Sequence, residues 1–544
     1  MRPSAPADAP SPTLSPKGAF LPMKRIQDVL VAELHSLLAV TGKNGGLMSP
    51  SIYDTSQVLR FLPQGETPWP VVDWLLSRQY GDGGWGDPVM PLHRDIPTLA
   101  AILVLQQHGR RQATKDAINA GLHFLRKQAT NWAKMNKDDL PVAGEIILPS
   151  LLDALGPTDV EFPRRPYAKL IELGERKRKI IATLPVIPGV PWFHVWETFG
   201  TEPNPVLMDG AGSIGHSPSA TAAWVKAAEA KCARLQEGSP EQAALQKCAE
   251  RGREYVRKTS LATETGIPGL VPVGAPHNYF EQCFALYGLL VADVLKHPQL
   301  ESVVAPVMKD LTRALGPKGI GMSDFYLHDG DDTSAVIALM HAFNMEVDPA
   351  ILERFQKEDH FVAYPGEMHS SPTLTARCIH ALMLLKKDVA PYQRYLLERQ
   401  EPDGRWSVDK WNRSWLYTTL HSAIALTGSQ HEHELRHALD AVLVAQEPDG
   451  GWSTDGVSNM TETSYAVLML GFLERNGFTH AGIAPALERA FKWMLHNYRP
   501  FERLETKVKC WISKELYRME RVDTIFELGA MLMLDLRKQK QTSA

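Results

Sequence analysis

One short pattern recurs along the chain as QYGDGGW (79–85), QEPDGRW (400–406) and QEPDGGW (446–452). The last two copies begin 46 residues apart, at positions 400 and 446. Within each copy, Asp-Gly makes a turn, Gln can hydrogen-bond a neighbouring helix end, and Trp covers the junction. A unit that recurs at this period is typical of helical pairs stacked around an axis. The repeats therefore predict an α-helical barrel or solenoid.

Apolar residues in the rest of the chain also follow helical spacing, and alternating strand patterns are nearly absent. Turns rich in Gly, Pro and Asp separate these stretches. At 544 residues, the chain exceeds what one core supports, so we expect two or three domains. The fold class is predicted to be all-α, from stretches such as IQDVLVAELHSLLAV (26–40), FEQCFALYGLLVADVL (280–295) and TSYAVLMLGFLER (463–475).

The composition restricts the classes of partner. A net charge of −4 offers no field that would collect nucleic acid, so no nucleic-acid partner is expected. No stretch approaches the ~18–20 uninterrupted apolar residues of a membrane span. The five cysteines are odd in number and contain no CxxC pair, which favours a reducing compartment. We expect a cytoplasmic protein without a membrane span.

The first residues, 1–19, are rich in Pro, Ala and Ser. Such a composition cannot bury enough apolar surface to offset the entropy of ordering, so we expect a disordered N-terminal tail. A plastid transit peptide is the alternative, but it is disfavoured because the segment has a single Arg and carries Asp8.

Several further segments accompany the repeats. With them, the chain resembles the terpene cyclase superfamily, which includes squalene-hopene cyclases and copalyl diphosphate synthases. The repeats resemble its QW motifs, and the other segments resemble SAYDTAWV, GFExxFPSLL, FSPSSTAF and the DxDD acid motif, in the same order. The resemblance runs from about Asn44 to Tyr517 and rests on SIYDTSQV (51–58), GEIILPSLL (144–152), HSPSATAA (216–223) and GIGMSDFYLHDGDDTSA (319–335).

This resemblance implies two α-barrel domains, called β and γ, with the active cavity between them. The γ domain would span about 45–260 and hold one QW repeat. The β domain would combine about 20–44 with 261–544 and hold two QW repeats and the acid motif. The chain has no DDxxD motif and no NSE-type metal triad, so no class I α domain is expected.

The acid motif places Asp329, Asp331 and Asp332 directly before an apolar stretch. Mutual repulsion will keep at least one of these carboxyl groups protonated. A neutral carboxylic acid in an apolar cavity can protonate an alkene if its neighbours stabilise the carboxylate it becomes. The family's roles make Asp331 the proton donor, with Asp329 and Asp332 organising its hydrogen bonds. The alternative is a simple helix cap with solvated acids.

A histidine is the candidate partner of that acid. His369, in PGEMHSSPT (365–373), falls where plant enzymes of the family place an Asn that hydrogen-bonds the acid. Hopene cyclases use a His in that role. The alternative is an ordinary surface or core histidine.

A second histidine is the candidate for ending the reaction. His194 matches the His of the His/Asn pair that holds a water in plant ent-copalyl diphosphate synthases. However, Val273 stands where the Asn of that pair should be. His277 and Asn278 could replace it if the alignment shifts. The terminating base and the ring stereochemistry therefore stay open.

Aromatic and basic side chains near these motifs are candidate substrate contacts. Aromatic faces stabilise carbocations without attacking them. The segment KCWISKELYRMERV (509–522) resembles the WIGKxLY region of bacterial enzymes. Simple core packing, or a helix-surface position for the lysine, is the alternative for each residue. The candidates are Trp192, Trp196, Tyr326, Trp411, Lys514 and Tyr517.

The resemblance also implies Mg²⁺ as a cofactor that binds with the substrate diphosphate. Plant enzymes carry an acidic EDxxD-like run before their GFE segment. The matching stretch, KMNKDDLPVAGE (134–145), keeps Asp138, Asp139 and Glu145 as candidate ligands. Because Mg²⁺ retains several waters and uses substrate phosphates, few protein ligands are needed. A solvated loop is the alternative.

The resemblance therefore predicts a class II terpene cyclase. It would convert geranylgeranyl diphosphate to a copalyl-type bicyclic diphosphate and leave the diphosphate for a downstream class I synthase. Two alternatives use the same fold: a drimenyl diphosphate synthase acting on farnesyl diphosphate, and a rearranging halimadienyl- or kolavenyl-type cyclase. A non-catalytic isoprenoid-binding α-barrel is the alternative from a different class, and the intact DGDD sequence disfavours it.

Overall fold

The computed structural model describes residues 25–135, 140–155, 163–199, 202–367, 369–428, 430–502 and 508–543. Over these ranges the regular secondary structure is almost entirely helical, which confirms the predicted fold class. A single short hairpin pairs β1 (Trp511–Ile512) antiparallel with β2 (Leu516–Tyr517). The helices are α1 (Ile26–Leu38), α2 (Ile52–Phe61), α3 (Trp69–Ser77), α4 (Asp95–His108), α5 (Gln112–Gln128), α6 (Gly144–Leu155), α7 (Ala168–Ile181), α8 (Pro218–Cys232), α9 (Pro240–Thr259), α10 (Asn278–Val291), α11 (Glu301–Ala314), α12 (Gly330–Ala342), α13 (Pro372–Leu384), α14 (Ala390–Leu397), α15 (Trp415–Leu426), α16 (Glu432–Val444), α17 (Met460–Arg475), α18 (Ile483–Asn497) and α19 (Glu520–Ser543).

The C-terminal helices close a ring. Helix α10 packs on α12, α12 on α13, α13 on α15, α15 on α17, α17 on α19, and α19 back on α10. Helices α1, α11, α14, α16 and α18 pack against the outside of this ring. An inner helix has neighbours on every side, so it is apolar all round rather than amphipathic. In α15, accordingly, every residue is buried.

The N-terminal helices form a second packed unit. Helix α2 packs on α4 and α8, α4 packs on α5 and α6, and α8 packs on α9. Their two hydrophobic cores take residues from Ile52 to Val271, whereas the core of the ring takes Leu30 to Met48 and Val273 to Leu534. We propose that these two sets of cores are the two barrel domains, with boundaries near the predicted positions 45 and 260.

The three repeat units make the same hydrogen bonds. Each Trp donates its Nε1–H over 2.7 Å to the carbonyl of the residue ten positions earlier, on an outer helix. Each Gln donates to a carbonyl of the next outer helix. The glycine that directly follows the Asp of each unit adopts φ between +90° and +101°, a left-handed backbone conformation that favours glycine. The units therefore tie successive outer helices together through Trp85, Trp406 and Trp452, which are 0–1% exposed.

The described helices include none with the length and apolar character needed to cross a lipid bilayer.

Candidate active site

A cavity of about 910 Å³, counted to its open mouth, lies between segments of the two barrels. We call it the acid cavity because Asp329 and Asp331 line it. One side comes from the 191–216 region and the other from the ring of C-terminal helices. Most of its wall is aromatic or apolar, and its aromatic residues are Phe280, Tyr326, Tyr364, Trp411, Trp511 and Tyr517.

Helix α12 begins at the acid motif and fixes its geometry. Asp329 is the N-cap residue, and its Oδ1 accepts the backbone N–H of Asp332 over 2.8 Å. Asp331 and Asp332 occupy the first turn. Unsatisfied N–H groups and the helix dipole favour negative charge at this end. The start of α12 therefore stabilises the carboxylate that forms when an acid at this position loses its proton.

Two of the acids are buried and incompletely hydrogen-bonded. Asp329 is 3% exposed and Asp332 1% exposed, and the Oδ2 atom of each has no partner among the described residues. Burial raises the pKa of Asp332 to about 7, although the thiol of Cys283 donates to its Oδ1 over 3.2 Å. Burial, with the neighbouring Asp332 charge, raises the pKa of Asp329 well above its ordinary value. The motif therefore holds a proton at neutral pH.

Asp331 has a cationic partner. Both Nε and Nη2 of Arg377, on α13, donate to its Oδ1, with Nε at 2.7 Å. The Asp331 side chain is 13% exposed and Arg377 1% exposed. Burial raises the pKa of Asp331, and the guanidinium opposes that increase. The site thus pairs a carboxyl at the cavity wall with a buried arginine.

Three histidines also line the acid cavity: His194, His216 and His277. The Nδ1 of His194 lies 2.8 Å from the carbonyl oxygen of Gly215. Because a carbonyl can only accept, Nδ1 carries the hydrogen and Nε2 keeps its lone pair. Burial, with the charge of Lys514, holds the pKa of His194 well below its ordinary value. His194 is therefore a neutral imidazole with a basic nitrogen.

The other two histidines are held closely. His216 places Nδ1 3.1 Å from the Asp209 carboxylate and Nε2 2.7 Å from the Ser323 hydroxyl. Burial lowers the pKa of His277 to about 3. A Cβ at Gly274 would come within 2.9 Å of the His277 ring, so glycine lets this wall close up. Of the histidines that line the acid cavity, His194 and His277 are therefore uncharged.

A second cavity adjoins the first. Val142, Pro191, Tyr364 and Trp411 line both. We call it the basic cavity, and its volume is about 1990 Å³ to its open mouth. Glu145 lies 2.5 Å from one of its lysines, and Glu367 pairs with another. The cavity lining holds three acids, Glu145, Glu367 and Asp409, and four cations, Arg176, Lys177, Arg399 and Lys410. With cations in excess beside an aromatic cavity, it suits an apolar chain with an anionic head.

Comparison with known proteins identifies the family. The squalene-hopene cyclase C-terminal domain family matches residues 327–471. A (+)-kolavenyl diphosphate synthase from Herpetosiphon aurantiacus is 42% identical over 533 residues, which cover 95% of this chain and 100% of the relative. The chain belongs to the class II terpene cyclases. It is a class II diterpene cyclase, as the sequence predicts, and therefore an enzyme of the isomerase type.

A more distant relative and a solved structure are also similar to the cyclase. A copalyl diphosphate synthase from Streptomyces cyslabdanicus is 26% identical and covers 91% of this chain and 93% of its own length. The ent-copalyl diphosphate synthase structure from Streptomyces platensis superposes with a TM-score of 0.73 at 24% identity, covering 93% of this chain and 99% of that one. This structural similarity establishes the helical double-barrel fold.

Several predicted site residues of the cyclase lie together. Asp329, Asp331 and His194 line the acid cavity, and so do the substrate candidates Tyr326, Trp411 and Tyr517. Asp332 does not line the cavity and instead contacts Cys283. The short hairpin supplies Tyr517 from β2.

His369 lies elsewhere than predicted. It lines the basic cavity, near Lys410 and Glu367. Among the described residues, the hydrogen bonds to the Asp331 carboxylate come from Arg377. The expected His contact with the acid is therefore corrected to an Arg contact. The reason is that α13 begins at Pro372 and places Arg377, five residues later, against the acid.

Two predicted substrate contacts, Lys514 and Trp196, are also corrected, and Trp192 stays a prediction. Lys514 is 0% exposed and donates to Asp54 at 2.6 Å, so a substrate cannot reach it. Trp196 is 4% exposed and packs in the core around α8. Trp192 is outside the acid-cavity lining and donates its Nε1–H to the carbonyl of Pro185. Their neighbours in space, not their sequence positions, decide these roles.

The magnesium prediction is not supported by the described ligands. Asp138 and Asp139 lie outside the described residues. Glu145 lines the basic cavity but is tied to Lys177. In the part of the chain that is described, no group of three His, Cys, Asp or Glu side chains could hold a metal ion. Two of the three predicted ligands thus lie outside the described residues, and Mg²⁺ bound with the substrate stays a prediction.

Arg377, Cys283 and His216 were not predicted as site residues. Arg377 stands as a lone cation within the apolar helical stretch PTLTARCIHALML (372–384), and a charge in a fully buried run signals a paired or functional group. His216 opens the segment HSPSATAA, where the family pattern has Phe. The sequence does not indicate a site role for Cys283, because a buried cysteine usually behaves as a small apolar residue.

Proposed function

We propose that the cyclase protonates the terminal double bond of geranylgeranyl diphosphate through Asp331 and closes two rings without removing the diphosphate. The observation that carries this proposal is a carboxyl of raised pKa at the wall of an aromatic cavity, next to a cationic one. In the first step the O–H bond of Asp331 breaks and the π electrons of the alkene form a C–H bond. The remaining double bonds then attack the cation in turn.

Surrounding groups support each stage of this reaction. The carboxylate left on Asp331 faces Arg377 and the start of α12. Aromatic faces stabilise the moving positive charge without capturing it. The apolar wall keeps water from taking the proton first. The reaction gains one proton and loses one, so the product is an isomer of the substrate.

The basic cavity is the proposed site of the diphosphate. Arg176 and Arg399 can offer several N–H donors, and Lys177 and Lys410 add charge. Held there, the diphosphate is kept apart from the acid and is not ionised. The product would still carry it, so the consumer we propose is a class I synthase that ionises it, in the same cytoplasmic compartment.

For the product we propose a rearranged, kolavenyl-type bicyclic diphosphate. The relative from Herpetosiphon aurantiacus, at 42% identity, is a (+)-kolavenyl diphosphate synthase. Val273, which lines the acid cavity, offers no amide to hold a water beside the first bicyclic cation. A cation that is not quenched at once undergoes hydride and methyl shifts before it loses a proton.

A copalyl-type product, predicted from the sequence, is the second candidate. The observation in its favour is the basic Nε2 of His194, which could take a proton from the unrearranged cation.

The test is product analysis. Purified protein would be incubated separately with farnesyl and geranylgeranyl diphosphate, treated with phosphatase, and its products identified by mass spectrometry and NMR. The proposal predicts kolavenol from the C20 substrate. Copalol would favour the second candidate, drimenol from the C15 substrate would change the substrate, and no turnover of either would contradict a cyclase function.

A further inference from the structure

A single buried arginine touches the proton donor of the proposed reaction. Arg377 lies on α13, and Asp331 lies 46 positions earlier, in the first turn of α12. We propose that Arg377 is a positioning residue that fixes which oxygen of Asp331 carries the proton and strengthens Asp331 as an acid. This inference rests on the proposed function of Asp331.

The hydrogen bonds assign the proton to one oxygen. Nε and Nη2 of Arg377 both donate to Oδ1 of Asp331. A guanidinium has five donors and no acceptor, so Oδ1 must accept whether the carboxyl is neutral or ionised. The proton of the neutral acid therefore belongs on Oδ2. A fixed proton position matters, because proton transfer to carbon needs the O–H bond directed at the alkene.

The arginine itself is held in place. Its Nη1 donates to the hydroxyl of Tyr417 over 3.0 Å. Its guanidinium carbon lies 4.8 Å from the ring centre of Phe284 and 5.9 Å from that of Tyr417. The side chain is 1% exposed, so bulk water does not screen its charge. Arg377 thus presents a fixed positive charge to Asp331.

The remaining groups around Asp331 act in the opposite direction. Asp409 and Glu367, in the loops beside α13, add negative charge that raises its pKa. Asp329 and Asp332 flank it on its own helix, and the latter accepts from Cys283 on α10. The other titratable neighbours are neutral groups of raised pKa, namely Tyr287 on α10, Cys378 on α13 and Tyr417 on α15.

These opposed influences meet both requirements of the reaction. The neighbouring acids and the burial raise the pKa of Asp331 and so favour its protonated form before the alkene arrives. Arg377 stabilises the carboxylate that forms when the proton leaves, which makes Asp331 a stronger acid. Without the arginine, Asp331 should hold its proton more tightly and release it more slowly.

The experiment is a pH profile of kcat for Arg377 variants with geranylgeranyl diphosphate. Activity requires protonated Asp331, so it falls as pH rises through the pKa of this group. Arg377→Leu and Arg377→Gln remove the charge, and we expect kcat at pH 7 to fall at least about tenfold. The basic limb of the profile, where kcat falls as pH rises, should move up by about 1–3 pH units. Arg377→Lys keeps the charge but loses the two-point contact. The basic limb of Arg377→Lys should lie near the pH of the wild-type limb, while its kcat is lower.

Arg94→Leu is the matched control. Arg94 is also a buried arginine with a two-nitrogen contact to an aspartate, Asp82, but it lies in the N-terminal barrel. The Arg94→Leu variant should be less stable than the wild type, but the basic limb of its kcat profile should lie at the same pH. If Arg377→Leu does not fold, Arg377→Gln decides the matter. The inference would be overturned if Arg377→Leu or Arg377→Gln folds and its basic limb lies at the same pH as that of the wild type. An active Asp331→Asn variant would instead overturn the proposed function.

Discussion

At the residue scale, the ring nitrogens of His194 differ in role. Nδ1 is committed to the Gly215 carbonyl, so Nε2 is the atom that can accept a proton in the acid cavity. His194→Ala removes this base but leaves the acid intact, so the cation still forms and must find another exit. We expect continued substrate consumption with a shift toward hydroxylated or differently rearranged diphosphates. Product distribution and total turnover are measured together, and an unchanged single product would place the base elsewhere, with His277 next.

The same histidine sets an expectation for pH. Because burial and Lys514 hold its pKa well below the ordinary ~6.5, His194 stays neutral as pH falls from 8 to 6. A base of ordinary pKa would instead become protonated, and inactive, in this window. We therefore expect no loss of kcat between pH 8 and pH 6 from this group. A falling acid limb centred near pH 6.5 that disappears in His194→Ala would contradict the structure.

The sequence identified the acids of the site but not their partners. The motif at 329–332 is contiguous, so its spacing alone shows three carboxyl groups in one helical turn. The contact between Asp331 and Arg377 joins two helices, and no local pattern predicts which face of α13 meets α12. For this reason the sequence points to His369, near the start of α13, whereas Arg377 makes the contact with Asp331.

At the element scale, the repeat tryptophans hold outer helices in place. Trp452 is 0% exposed, donates to the carbonyl of Val442 on α16 and is not part of either cavity described above. Trp452→Ala should therefore lower the free energy of unfolding by about 3–5 kcal/mol. The product should be unchanged. Chemical unfolding and product analysis check the two parts, with Trp452→Phe as a control that keeps a ring but loses the hydrogen bond.

Helices were predictable where the apolar period is long. The stretches 280–295 and 463–475 correspond to α10 (Asn278–Val291) and α17 (Met460–Arg475). The hairpin at 511–517 was not predictable, because strands of two residues are too short to show alternation. That hairpin places Lys514 in its turn and buries it, which a helical interpretation of the segment could not show.

At the scale of the whole molecule, a buried ion pair joins distant parts of the chain. Lys514 donates to Asp54 at 2.6 Å and to the hydroxyls of Ser217 and Ser219, and both charged side chains are 0% exposed. Lys514→Met leaves Asp54 buried without its counterion, so we expect a loss of about 3–5 kcal/mol in the free energy of unfolding. Adding Asp54→Asn should recover part of it. Equal losses in Lys514→Met and in the double variant would contradict the expected cost of leaving the Asp54 charge unpaired.

The overall architecture was the most predictable level. Ordered segments spread from about residue 44 to 517 indicated a two-barrel cyclase, and the structure has this fold. Contacts such as the one between Asp54 and Lys514, 460 positions apart, depend on how the barrels meet. Local periodicity carries no information on such contacts. Product identity is similarly inaccessible, because it depends on where a base lies relative to a transient cation.

Deuterium labelling tests whether Asp331 starts the reaction by protonating carbon. The reaction with geranylgeranyl diphosphate would be run in D₂O, and the intact product diphosphate analysed by mass spectrometry and NMR. Protonation of carbon should give one deuterium per product molecule, on the carbon of the former terminal alkene, with the diphosphate retained. Asp331→Asn should give no cyclised product, while Asp329→Asn should be strongly impaired. A cyclised product without deuterium, or with the diphosphate lost, would contradict the account.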